Sequence, residues 1–232
     1  MAAKFTCPVC GWKGARLAKV ERAPRAFAPL ACPGCGCYLR DCFLWLMLQQ
    51  RQASSKEKLL ILEVGGTKRL GQSLAKTYFY RNADLIAGAE GVDYRVSDGY
   101  IEAQDNQLFT VAIISFVLSE IVQKSVRRRL LCELRRLVAS EGYLIVFDDI
   151  DLKRLSITML DPNRYFHLLR FGRNILLELA EAGWGKIVKI SGVRESSVYS
   201  RVDFPIIIGQ PGAARIKSMR LDTLDKMNAV FA

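Results

Sequence analysis

Six of the seven cysteines lie within the first 42 residues, and four of them fall in two matching stretches, CPVCG (Cys7, Cys10) and CPGCG (Cys32, Cys35), with 21 residues between Cys10 and Cys32. In each stretch the proline fixes φ and the glycine after the second cysteine permits a positive φ, so both sulfurs turn toward one point. Two such knuckles form a tetrahedral cage of four thiolates, the donor set of a structural Zn²⁺ with bonds near ~2.3 Å. A cage closed by four protein ligands has no open coordination position, so its metal stabilises a small fold rather than doing chemistry. Disulfides or redox pairs would suit the same spacing in an exported chain, but the opening MAAKFTCPVCG has no apolar run of the export type. Zinc is therefore the expected occupant. Cys37 and Cys42 do not repeat the knuckle and are expected to be structural; Cys132, inside RRRLLCELRRL, reads as a small buried hydrophobe.

The other residues able to do chemistry are acids near the ends of apolar runs. LEVGGTKRLGQSLA, Leu62 to Ala75, reads as a strand, a loop with adjacent Gly65 and Gly66, and a helix. Such a loop lets a ligand approach the backbone, and the N–H groups of the following helix are unpaired and polar. Asp148 and Asp149 close the run YLIVFDD, and His167, the one histidine, lies in RYFHLLRFG. These three are the candidates for a catalytic base. Each has a structural reading too, the aspartates as helix caps and the histidine as a packed ring. No G-x-S-x-G elbow, P-loop or H-E-x-x-H occurs.

The elements that would position these residues follow from periodicity. YLRDCFLWLMLQQRQ is apolar nearly all round a helix and is expected to pack between the cysteine segment and the main body, with QQRQASSKEK as a linker. From Leu59 short apolar runs alternate with helical stretches, the pattern of an α/β domain with a parallel sheet. The strands are LLILEV, YFYRNADLIAG, VDYRV, VAIISF, YLIVFDD, KIVKISGV and FPIIIGQ; the helices are RLGQSLAK, VLSEIVQ, SVRRRLLCELRRLVAS and RNILLELAEAGW. Leu130, Leu131, Leu134, Leu137 and Val138 form a helical stripe expected to be buried, flanked by arginines expected to be solvated. The predicted divisions are a zinc ribbon over 1–42, a connecting helix and linker over 43–57, the α/β domain over 58–210 and a helical tail over 211–232. The tail is amphipathic, with a face for docking on the body or on a second copy in a homo-oligomer.

Net charge is +11, and six of the excess positive charges lie in residues 1–57. Such a segment attracts nucleic acid or another anion, or simply keeps the surface solvated. The apolar window LFTVAIISFVL, Leu108 to Leu118, is eleven residues long, short of the roughly 20 needed to span a bilayer. No membrane span is expected, and the cytoplasm is the expected location.

The ordered set ILEVGG, LFTVAIISFVLSEI, LLCELRRLVASEGYLIVFDD and RNILLELAEAGWGKIVKI resembles the class I S-adenosylmethionine-dependent methyltransferase family from Leu59 to about Gln210. CPVCG, CPGCG and YLRDCFLWLML together resemble a bacterial subgroup in which a zinc ribbon precedes the cofactor domain. The resemblance implies a Rossmann-like seven-stranded sheet with helices on both faces and S-adenosylmethionine as cofactor. It implies that Glu63 orients the loop or meets the methionine ammonium, that Gly65 and Gly66 allow close approach, that Asp84 binds the ribose and that Asp98 meets the adenine amino group. Glu90 is the alternative to Asp84. Where the family has further spaced glycines, this chain has Thr67, Lys68 and Arg69. The implied activity is methyl transfer to a small molecule, a sugar, surface-polysaccharide or natural-product intermediate. Two alternatives accompany it: a nucleic-acid-binding ribbon protein or RNA methyltransferase, and a non-catalytic partner with the same fold.

Overall fold

The computed structural model describes residues 5–19, 30–85, 91–103, 109–148, 150, 153–159, 169–191, 206–211 and 215–220. Two short hairpins build the cysteine segment: β1 (Phe5–Thr6) pairs with β2 (Lys13–Gly14), and β3 (Ala18–Lys19) pairs with β4 (Leu30–Ala31), both antiparallel. Helix α1 (Leu39–Ala53) starts before the expected division at 43, because Asp41 turns back to accept the Tyr38 N–H at 2.9 Å and closes the first turn. Its Leu39 and Cys42 pack into the ribbon while Phe43, Leu44, Trp45, Met47 and Leu48 pack on the main body. The helix thus sits where its all-round apolar pattern placed it.

The body continues with β5 (Leu60–Val64), α2 (Lys68–Thr77), β6 (Phe79–Asp84), β7 (Tyr94–Ser97), β8 (Tyr100–Ile101) and β9 (Phe109–Ser115). A 3₁₀ turn at Leu118–Glu120 leads to α3 (Lys124–Leu137), β10 (Val138–Phe147), β11 (Thr158–Met159), β12 (Leu169–Arg170), α4 (Asn174–Glu181), β13 (Trp184–Ser191), β14 (Ile206–Pro211) and β15 (Arg215–Arg220). The main sheet has nine strands in the order β15-β13-β14-β10-β9-β5-β6-β7-β8. Seven form the expected sheet, and β8 and β15 extend its two edges. β7, β6, β5, β9 and β10 run parallel, whereas β14 lies antiparallel between β10 and β13.

Strict alternation gives each face its own core. Ile61, Val111, Ile113, Tyr143 and Ile145 meet α1 and α2, whereas Leu62, Val64, Ala112, Ile114, Leu144 and Val146 meet α3 and α4. The chain order reverses across β5, with β6 on one side and β9 on the other, which opens a crevice at the carboxyl ends of these strands.

Four expectations are corrected. VLSEIVQ is only a 3₁₀ turn followed by extended Ile121, since seven residues are too few to nucleate a helix without a partner face. The tail is a strand, not a helix, at Arg215–Arg220, because pairing with the open edge of β13 satisfies more backbone groups than a short isolated helix. Cys132 is exposed: the buried stripe of α3 runs through Arg127, Leu130, Leu131, Leu134 and Leu137 and leaves it on the opposite side. Arg127 belongs to that stripe and is buried, paired with Glu178 at 2.9 Å. No helix among the described residues is long and apolar enough to cross a membrane.

Candidate cofactor edge and metal centre

The two cysteine knuckles have the same hydrogen bonds. Gly11 N–H donates to the Cys7 carbonyl at 2.8 Å and Gly36 N–H to the Cys32 carbonyl at 2.7 Å, with φ of 75° and 72° at the two glycines. The donor atoms of Cys7, Cys10, Cys32 and Cys35 all lie within 4.8 Å of one another. Cys7 Sγ is 3.8 Å from Cys35 Sγ, and Cys10 Sγ is 3.6 Å from Cys32 Sγ. A tetrahedral thiolate centre with bonds near ~2.3 Å has edges of about 3.8 Å, so the four sulfurs fit a metal of that type. Burial pushes the Cys7 thiol up to about 12, so holding Cys7 as a thiolate near neutral pH calls for a cation. Cys42 Sγ lies 3.9 Å from Cys7 Sγ, and Cys42 and Cys37 are both buried thiols raised further by desolvation. They line the cage as core.

Trp12 is occupied within the ribbon. It lies 6.4 Å from Phe5, and side chains at Gly14 or Gly34 would collide with its ring.

At the carboxyl edge of the sheet, Glu63 points to the α1/α2 face, as the parity with Ile61 requires. Its carboxylate accepts from the Tyr80 hydroxyl at 2.7 Å and from Ser115 Oγ at 3.5 Å, and it lies beneath Gly66, where a Cβ would overlap it. Gly65 has φ of 75° and donates its N–H to the Ala83 carbonyl at 3.0 Å; a Cβ there would strike Val117 and the Ser115 carbonyl. The two glycines therefore let the loop close over a buried acid. Burial pushes Glu63 up to about 7; the Tyr80 hydrogen bond and Arg40 pull it down, and Asp41 pushes it up. Thr67 caps α2, its hydroxyl accepting the Leu70 N–H at 3.4 Å.

Asp84 ends β6, the strand paired with β5, and so stands at the same edge as Glu63. Asp98 lies in the turn between β7 and β8 with φ of 48°; its carboxylate is exposed and ion-paired with Arg129 of α3. Asp148 is buried just after β10, where it accepts the Ser119 N–H at 3.2 Å and holds the 3₁₀ turn that follows β9. The structure thus brings Glu63, Gly65, Gly66 and Asp84 together at the ends of adjacent strands. Asp149, His167 and Glu90 lie outside the described residues.

Arg40 was not among the residues singled out from the sequence. Its guanidinium lies 4.2 Å over the ring of Phe116, which follows β9 with φ of 58°, and near Glu63. The clue available beforehand was an arginine at the start of an apolar helix, too common a pattern to mark a site.

No protein-family model and no curated protein matches the chain in sequence. Solved structures do resemble it. The SAM-bound CalS10 of Micromonospora echinaspora, an amino pentose methyltransferase involved in calicheamicin biosynthesis, is 11% identical, with a TM-score of 0.54 over 75% of this chain and 90% of that one. DesVI of Streptomyces venezuelae is 10% identical, with a TM-score of 0.50 over 69% of this chain and 87% of that one. The fold is the Rossmann-like methyltransferase fold. At these identities the likeness establishes architecture, and function rests on the site.

Proposed function

We propose that this chain is an S-adenosylmethionine-dependent methyltransferase acting on a small molecule, a sugar, surface-polysaccharide or natural-product intermediate, with a structural Zn²⁺ held by Cys7, Cys10, Cys32 and Cys35. The observation that carries the reading is the buried Glu63 carboxylate under the Gly65–Gly66 loop, with Asp84 at the end of the neighbouring strand. S-adenosylmethionine supplies an electrophilic methyl group on a sulfonium. Glu63 suits its ammonium, Asp84 its ribose hydroxyls and Arg40 its carboxylate, each by charge and by place at the carboxyl edge. Asp98 remains the adenine candidate, on condition that it exchanges its Arg129 partner. Asp148, Asp149 and His167 are the proposed sources of a base for the acceptor. The amino pentose named for CalS10 supports a sugar-like acceptor.

Titration calorimetry of the zinc-loaded chain with S-adenosylmethionine and with S-adenosylhomocysteine tests the reading. Binding of either supports it; failure of both at millimolar ligand sinks it.

A further inference from the structure

Thr67 and Arg69, which stand where further glycines would loosen the loop, face the ribbon. Arg69 Nη1 donates to the Gly36 carbonyl at 3.1 Å. Gly36 closes the second cysteine knuckle, and a side chain there would collide with the Arg69 guanidinium, which lies directly against the bare backbone. A second link runs in parallel. Thr67 Oγ1 is 3.5 Å from Asp41 Oδ2, the same oxygen that accepts the Tyr38 N–H at 2.9 Å, and Tyr38 bridges to Ala31 beside Cys32. Both links join the metal knuckle to the first turn of α2, directly after Gly65 and Gly66.

We propose that the metal-loaded ribbon is a clamp on the cofactor loop, with Arg69 as the positioning residue that transmits it through Gly36. The proposal rests on the cofactor reading for its consequence in affinity, but the clamp itself is a property of the chain. Metal holds the Cys32–Cys35 knuckle, the knuckle presents the Gly36 carbonyl, and Arg69 fixes the first turn of α2. The residues that depart from a glycine-rich loop are, on this account, the ones that dock it.

Hydrogen exchange of a peptide spanning Val64–Ser73 tests the clamp in four preparations: metal-loaded and chelated wild type, and metal-loaded and chelated Arg69→Ala. Removing a charged hydrogen bond predicts about tenfold faster exchange in the loop. Chelation and Arg69→Ala should each produce it, and chelating the variant should add little, because the shorter, charged link of the two is already gone and only the 3.5 Å contact from Thr67 to Asp41 of α1 is left. Arg69→Lys, which keeps a donor, should fall between. A peptide covering α4 should keep its rate throughout. Equal loop exchange with and without metal overturns the proposal, as do independent additive effects or a rise shared by α4. S-adenosylhomocysteine titration of the same four preparations should show a parallel loss of about tenfold in affinity. If the loop responds and no preparation binds, the cofactor reading fails and the clamp stands. If the metal-loaded wild type binds and the loop does not respond, the clamp fails and the cofactor reading stands.

Discussion

Glu63 is the residue on which the site turns, because it is a buried acid whose burial outweighs the pull of the nearby Arg40 cation. Its carboxyl is raised from an ordinary 4.5 to about 7 by burial. Between those values the folded chain holds a proton that the unfolded chain has released, so stability is greatest below about 4.5 and falls as pH rises through 7. The span is worth about 3 kcal/mol. Glu63→Gln keeps the shape and the bond from Tyr80 but removes the titration. Urea denaturation at pH 5 and pH 8 should show the wild type losing about 3 kcal/mol more than the variant across that window. A cofactor ammonium would favour the charged form, so affinity should rise toward pH 7 in the wild type. Gly65→Ala is expected to cost about 1–3 kcal/mol from its positive φ alone, and more from the clash with Val117. Thermal denaturation reads that loss.

At the scale of elements, α3 and α4 are joined by Arg127 and Glu178, each 2% exposed, with Arg127 also donating to the carbonyls of Ile121 and Val122 at 2.8 Å. Removing one member leaves the other as a buried unpaired charge. Arg127→Met alone should cost about 3–5 kcal/mol, and Arg127→Met with Glu178→Leu should recover most of it, measured by equilibrium unfolding. The arginine run read as a solvated face because composition does not record which member of RRR falls on the leucine stripe. Helical phase puts Arg127 three residues before Leu130 and four before Leu131, on the buried side. What phase cannot supply is Glu178, 51 positions away, the partner that makes the burial tolerable.

For the whole molecule, the ribbon and body share α1, so a metal held by the four cysteines would affect more than its own hairpins. Chelation should remove one metal per chain, unfold the first 36 residues and lower the melting temperature. The nine-stranded body should keep its far-ultraviolet dichroism, since its two cores are built from the sheet, α1, α2, α3 and α4, none of which carries one of the four clustered cysteines. Elemental analysis with parallel melting curves checks this. If chelation leaves the melting temperature unchanged, the four cysteines are not a folding site.

The sequence by itself determined the four-cysteine cluster, the seven central strands and the place of the glycine loop. Each depends on spacing along one short segment: C-x-x-C geometry, period-two alternation, or a strand running into a helix. Only the tertiary structure decided what those segments meet. It turned the tail at Arg215–Arg220 into a strand, since an open sheet edge is a long-range partner that local periodicity does not encode. It brought Arg40 over Phe116 and Arg69 against Gly36, contacts spanning 76 and 33 positions that exist because α1 fixes the ribbon to the sheet. Thr67, Lys68 and Arg69 looked like losses when read against a glycine pattern. In the folded chain Thr67 meets Asp41 of α1 and Arg69 meets Gly36 of the ribbon.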